Sequence, residues 1–172
     1  MRHHILIIAL FVVTSVASYA QPTAAPFTPY AELPKAEQKA RLKSPAVVEI
    51  AAPADKIAAL LVRAVQAEGY IVTQSTPQSL WMTKTLRSTG ASILGAMIGE
   101  SGFRYEVAFT FSEFGGITTV SGDAWLTMQN AYGRQTREPI LQKKKNRIGF
   151  DYMLSNVKQT AELKPVDTPP AH

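Results

Sequence analysis

The side chains that could do nucleophilic or metal chemistry are scarce in this sequence. It has no cysteine, and its histidines are His3, His4 and His172, at the two ends of the chain. Zinc sites use Cys and His ligands, and Ser–His or Cys–His nucleophile systems need a histidine that the fold can position. No glycine-rich phosphate-binding motif and no clustered calcium-binding acids are present. We therefore predict no cofactor and no metal, and acid–base chemistry would fall to carboxylates, lysines or tyrosines.

Glu106 and Asp123 are the carboxylates that could work as a pair. They lie in two strand-like runs that a short turn would place side by side. If both faced a cleft, they could serve as acid and base in a glycoside hydrolase. The alternative is that Glu106, on the polar side of an alternating strand, is a solvated surface acid.

Residues 88–102 form a Gly- and Ser-rich segment with four large apolar side chains near helical spacing. These are Ile93, Leu94, Met97 and Ile98, and they flank a pair of glycines four residues apart. Small residues at this spacing allow close approach of another backbone. We predict a loop that docks on a partner, because solvated loops rarely carry so many apolar residues. The alternative is a short helix or wide loop that covers one end of the sheet.

A basic run, Gln142 to Arg147, precedes the last predicted helix. Residues 134–147 carry six basic side chains against one acid, Glu138. We predict anion binding, to the phosphate groups of a lipid or wall polymer, by Lys143, Lys144, Lys145 and Arg147. The alternative is a solvated loop. Nucleic acid is not expected as a partner, because no aromatic residues alternate with these lysines.

Trp81 and Trp125 lie in two predicted strands in which side chains alternate between the two faces of the sheet. Trp81 has the opposite parity to Leu80 and Met82, and Trp125 has the opposite parity to its aliphatic neighbours. If the aliphatic residues face the core, both tryptophans lie on the outer face and could stack against a sugar or peptide. The alternative is that a bulge at Gly122 turns one of them into the core.

The start of the chain predicts export. A cationic start at Arg2 leads into an apolar run, Ile5 to Val13, and Ser18 and Ala20 suit a cleavage after Ala20. The apolar run is shorter than the roughly 20 residues needed to span a bilayer. We therefore predict a signal peptide over 1–20 and a periplasmic or secreted protein without a transmembrane segment after cleavage.

The remaining chain predicts one small domain. Residues 21–45 are a Pro-rich arm with a short helix, 46–163 are the domain, and 164–172 are a disordered tail. The domain runs strand, helix, four strands, helix. Tight turns make neighbouring strands antiparallel, so we predict an α+β fold. It has an antiparallel sheet of about five strands with two helices packed on one face, a two-layer sandwich.

The segment Val47 to Tyr70, VVEIAAPADKIAALLVRAVQAEGY, resembles the start of small bacterial envelope domains of strand–helix–meander–helix order. It is distantly similar to the helix-grip superfamily in the strand that runs into Ala52-Pro53-Ala54-Asp55-Lys56-Ile57. The resemblance to envelope domains implies a role in binding or assembly without catalysis.

The sequence therefore predicts an exported, non-catalytic accessory domain that docks on an envelope protein or an anionic membrane or wall surface. A small hydrophobic-ligand or lipid-binding domain is the alternative. The docking hypothesis predicts an exposed apolar segment and no sizeable cavity. The ligand-binding hypothesis predicts an apolar pocket between the sheet and the helices. A carboxylate-based hydrolase would need a cleft that holds Glu106 and Asp123.

Overall fold

The computed structural model describes residues 22–86, 103–129 and 134–163. Three predicted features lie outside these residues: the signal peptide, the whole apolar segment 88–102 with its four large side chains, and the tail. Within the part that the structure describes, no helix combines the length and the apolar character needed to cross a membrane.

The described residues form six strands and three α-helices. The strands are β1 (Ala46–Ile50), β2 (Ile71–Thr76), β3 (Ser79–Leu86), β4 (Phe103–Phe114), β5 (Ile117–Gln129) and β6 (Gln135–Pro139). The helices are α1 (Lys35–Arg41), α2 (Ala54–Gln66) and α3 (Lys144–Glu162), with 3-10 turns at Tyr30–Glu32 and Ile140–Gln142. All strand pairs are antiparallel in the order β1-β5-β4-β3-β2, and β6 pairs with the second half of β5. The predicted α+β class with an antiparallel sheet is confirmed, with six strands where about five were expected.

The β4–β5 hairpin is the centre of the sheet. Gly115 and Gly116 form its two-residue turn with φ of 58° and 78°, values that a glycine adopts readily and that match the twist of the flanking strands. Along β4, Val107, Phe109 and Phe111 are buried on the inner face, as their period-two alternation predicts.

The apolar sides of α2 and α3 share one core with the inner face of the sheet. Ile57 and Leu61 of α2 and Leu154 of α3 are fully buried in this core together with Phe109. The two helices run antiparallel, because Lys56 Nζ near the start of α2 donates to the carbonyl oxygen of residue 161 at the end of α3 (2.6 Å). The end of α2 therefore lies near the beginning of α3.

Gly122 is not a bulge, so the alternative that would turn one tryptophan into the core is wrong. It pairs regularly with Phe109 on one side and Ala46 on the other, and the irregularity of the sheet lies between Val72 and Gln74 in β2. A Cβ on Gly122 would lie 2.7 Å from the ring of Phe150. The glycine is required there because the ring of Phe150 packs directly on the strand backbone.

The basic residues 134–147 do not form one loop, which corrects the alternative given for them. Gln135–Pro139 form β6, and α3 begins at Lys144. The strand escaped prediction because it is short and polar and pairs with β5.

The proline-rich arm lies on the domain. Tyr30 is 3 % exposed, and its backbone N–H donates to Asp151 Oδ2 in α3 at 3.0 Å. The predicted short helix of this arm is present as α1.

Candidate functional site

A cavity of about 740 Å³ opens between α2, α3 and the inner face of the sheet. Its walls are mainly apolar: among the lining residues are Leu60, Ala64, Val107, Leu141, Phe150 and Met153. Ligand-binding clefts have volumes of roughly 300–1,000 Å³ and linings of this kind. Because protein cores are otherwise packed about as densely as organic crystals, an open apolar space of this size is large enough to hold a small molecule.

Gly149 shows that the cavity is open at α3. It lies within α3 and lines the cavity, and a Cβ built on it would meet no atom within 4 Å. Glycine within a helix costs about 1 kcal/mol relative to alanine. Packing therefore does not require the glycine, and a larger side chain can be introduced at this exposed position on the cavity wall.

The charged lining residues and two of the tyrosines lie where α2 ends and α3 begins, and Asn156 and Thr160 add uncharged polar groups farther along α3. Tyr70 follows α2, Tyr105 lies on β4, and Lys145 is in the first turn of α3. Lys84 stands opposite Tyr105 on β3, and its ammonium group lies 5.7 Å from the centre of the Tyr70 ring. Burial raises the pKa of Tyr70, and the nearby Tyr105 and Glu68 raise it further. The Tyr70 phenol is therefore a protonated hydrogen-bond donor at neutral pH.

Lys143, Lys144 and Lys145 are exposed at the beginning of α3. Lys143 makes a 2.8 Å ion pair with Glu138, and Lys145 also lines the cavity. The first turn of α3 contains no acidic residue, and no side chain caps its N–H groups. Three of the four residues of the predicted anion site therefore lie together at the beginning of α3.

Arg147 does not belong with these lysines, although the sequence analysis grouped it with them. Its side chain is fully buried, and its Nε donates to Asp151 Oδ1 at 2.9 Å. Its other nitrogens donate to the carbonyl oxygens of residues 41, 44 and 45 at 3.0, 2.7 and 3.3 Å. Burial lowers the pKa of Arg147 and Asp151 opposes that shift. Because the guanidinium is fully buried and bonded to Asp151 and to the arm, a solvent anion cannot reach it.

Trp81 and Trp125 both lie on the outer face of the sheet, as their parity predicts. Their rings are stacked nearly parallel, at 8°, with centroids 5.9 Å apart. Arg137 of β6 lies over both rings, 4.6 Å from the centroid of Trp125 and 5.7 Å from that of Trp81. A sugar or peptide would therefore meet the arginine as well as the indoles, because the guanidinium already occupies part of the stacking surface.

Glu106 is 7 % exposed, so the alternative that made it a solvated surface acid is wrong. Its Oε1 pairs with Arg104 at 2.7 Å, and its Oε2 accepts hydrogen bonds from Arg137. Although burial acts in the opposite direction, the hydrogen bond and charge of Arg137 and the charge of Arg104 hold the pKa of Glu106 below its ordinary value.

Asp123 is not directly opposite Glu106, which faces Trp125, while Asp123 faces Ala108. Burial raises the pKa of Asp123, and a backbone hydrogen bond and Arg147 partly offset this. A glycosidase acid must be protonated when it acts, and Glu106 is stabilised in its ionised form. The arrangement of Glu106 therefore favours a structural ion pair.

In the described ranges, no group of three or more His, Cys, Asp or Glu side chains is arranged to hold a metal ion. A pocket between the sheet and the helices was expected only under the alternative, ligand-binding hypothesis, and the sequence analysis made no prediction for Tyr70, Tyr105, Gly149 or Arg137. A glycine within a helical stripe was the one visible signal, because it lowers helix stability without an obvious local reason.

Comparison with protein-family models gives no match for this chain. Comparison with curated protein sequences gives no match either.

Proposed function

We propose that this chain is an exported, non-catalytic binding domain that takes a small apolar ligand into the cavity between α2, α3 and the sheet. The observation that carries this proposal is the apolar cavity of about 740 Å³. It favours the ligand-binding hypothesis over docking alone, because the two hypotheses differ in whether a sizeable pocket lies between the sheet and the helices. Tyr70, Tyr105 and Lys145 supply the few polar groups that orient a ligand in such a site.

Gly149 gives the test. The purified protein is titrated with N-phenylnaphthylamine, a neutral apolar dye that fluoresces when it leaves water. Wild type and Gly149→Ala should bind the dye saturably, because alanine fills little of the open space. Gly149→Phe adds a ring at the wall of the cavity and should weaken binding at least about tenfold by narrowing it.

Circular dichroism and thermal unfolding establish that both variants are folded. The proposal fails if wild type shows no saturable binding, or if a folded Gly149→Phe variant binds the dye as tightly as wild type does.

Docking on an anionic membrane or wall surface is a second candidate function. Lys143, Lys144 and Lys145 support it, because they are consecutive, exposed and located at the uncapped beginning of α3. Replacing Lys143 and Lys144 with Glu should abolish sedimentation with anionic vesicles and leave dye binding unchanged. Equal sedimentation of the variant and wild type would contradict this function.

Export rests on the predicted signal peptide and has its own test. The intact mass of the protein recovered from a periplasmic or culture-medium fraction should correspond to a chain that begins at Gln21. Recovery of the full-length mass in the cytoplasmic fraction alone would contradict export.

A further inference from the structure

We infer that the ligand of this cavity is an anionic amphiphile with a single acyl chain, whose head group lies at the end lined by Tyr70, Tyr105 and Lys145. This inference rests on the proposed function and adds the class of ligand to it. The apolar walls would hold the chain, and the polar end would bind the head group.

The charged lining residues of the cavity lie at one end of it, whereas the polar side chains farther along α3, Asn156 and Thr160, are uncharged. Because α2 and α3 are antiparallel, Glu68 and Tyr70 after α2 come near Lys145 at the beginning of α3. Tyr105 joins them from β4. The remaining walls are lined mainly by aliphatic and aromatic side chains of α2, α3 and the sheet. An asymmetric lining of this kind fits a molecule with one polar end.

The charge at this end favours an anion. The cations are Lys145, which lines the cavity, and Lys84, whose ammonium group lies over Tyr70 and donates to the carbonyl oxygen of residue 68. The carboxylate among the lining residues is Glu68, which is exposed. Lys145 and Glu68 balance among the lining residues, so the excess positive charge comes from Lys84 beside Tyr70 and from the dipole of α3, whose first turn has no acidic residue and no side-chain cap.

The tyrosine hydroxyls add hydrogen-bond donors to this positive end. Tyr70 is half-buried, and Tyr70 and Tyr105 lie close enough that the charge of one affects the other. A carboxylate or phosphate head group accepts several hydrogen bonds at once, from donors such as two phenols and an ammonium group. A neutral head group gains only the weaker uncharged bonds.

A matched pair of probes tests the charge of the head group. cis-Parinaric acid and its methyl ester share one fluorescent chain and differ in whether the head group is ionised. At neutral pH and low salt, wild type should bind the acid about fivefold more tightly than the ester, and added salt should reduce this preference. Lys145→Ala should remove most of the preference by weakening acid binding alone.

Lys39→Ala is the matched control, because Lys39 is an exposed lysine of α1 that does not line the cavity. It should keep the preference of wild type. Displacement of the bound acid by dodecanoate and by dodecyl phosphate then shows which anionic head group is preferred.

Equal affinity of wild type for acid and ester would overturn the inference, and so would an equal loss of both in Lys145→Ala. The neutral dye is titrated in the same preparation. If the dye binds but the acid and the ester bind equally, the inference fails and the proposed function stands; if neither the dye nor a parinaric probe binds, the proposed function itself fails.

Discussion

The helix-covered face and the outer face of the sheet each carry an arginine–carboxylate cluster, and the clusters differ in burial. On the helix side, Arg147 and Asp151 are both fully buried. On the outer face, the side chain of Glu106 is 9 % exposed, while those of Arg104 and Arg137 are 42 % and 46 % exposed.

The difference shows what each cluster does for the fold. The buried pair joins three parts of the chain, because Arg147 reaches the residues after α1 and Asp151 accepts the Tyr30 N–H. The outer cluster covers a stacked pair of indoles. Removal of one partner from a buried ion pair leaves an uncompensated charge, whereas water can solvate the remaining partner of an exposed pair. We therefore expect stability effects to follow burial more closely than the number of ion pairs.

The largest effect is expected from Arg147→Met. The variant leaves Asp151 charged and buried and removes the donor to the carbonyl oxygens of residues 44 and 45, while that of residue 41 still accepts from Ser44. The free energy of unfolding should fall by about 3–5 kcal/mol, measured by urea denaturation. The double variant Arg147→Met/Asp151→Leu should recover part of this loss. If the unfolding free energy of Arg147→Met lay within about 1 kcal/mol of wild type, the buried pair would contribute no more than an exposed one, and the expected dependence on burial would be contradicted.

Arg137→Ala should have a smaller effect. It removes the donor to Glu106 Oε2 and uncovers both indoles, while Arg104 still pairs with Oε1. We expect a loss of about 1–2 kcal/mol and a change in the emission wavelength of tryptophan fluorescence. Arg63→Ala, in an exposed part of α2, is the control for loss of an arginine. Unchanged tryptophan emission would contradict the stacking of Arg137 on the indoles.

The pH dependence of stability separates Glu106 from Asp123. Because the native pKa of Glu106 is lowered, its contribution is complete above the ordinary Glu pKa of about 4.3 and is lost as the pH falls through the native value. Glu106→Gln should therefore be less stable than wild type at neutral pH and approach it in acid.

The native pKa of Asp123 is raised, so its ionisation destabilises the native state. This loss of stability develops as the pH rises from the ordinary Asp pKa of about 3.9 through the native value. Asp123→Asn should therefore gain stability relative to wild type at neutral pH and not in acid. Thermal unfolding of both variants and wild type is measured between pH 3 and pH 7. If the stability difference from wild type changed with pH in the same direction for both variants, the opposite pKa shifts of Glu106 and Asp123 would be contradicted.

The smallest effect is expected from Lys143→Ala. Its ion pair with Glu138 joins side chains that are 60 % and 44 % exposed, so water screens the attraction. The free energy of unfolding should change by less than about 1 kcal/mol. A loss as large as that of Arg137→Ala would contradict the expected dependence on burial.

Local patterns accounted for much of the fold. The stripe of Ile57, Leu61 and Val65 predicted α2, and the alternation of β4 with Gly115-Gly116 predicted the central hairpin. These elements are recognisable in the sequence because every side chain that decides them lies within a few residues of the next. The same local logic placed both tryptophans on the outer face.

The sequence by itself determined the α+β class, the antiparallel hairpin and the scarcity of Cys and His chemistry, because composition and short-range periodicity are enough for these. The tertiary structure decided which basic side chains reach solvent: Arg147 is buried and Lys145 lines a cavity, although the two are separated by one residue. It also decided the pairing of Glu106 with Arg137 and the existence of the cavity. These features depend on contacts between residues far apart in the chain, whose relative positions are set only when the helices pack on the sheet.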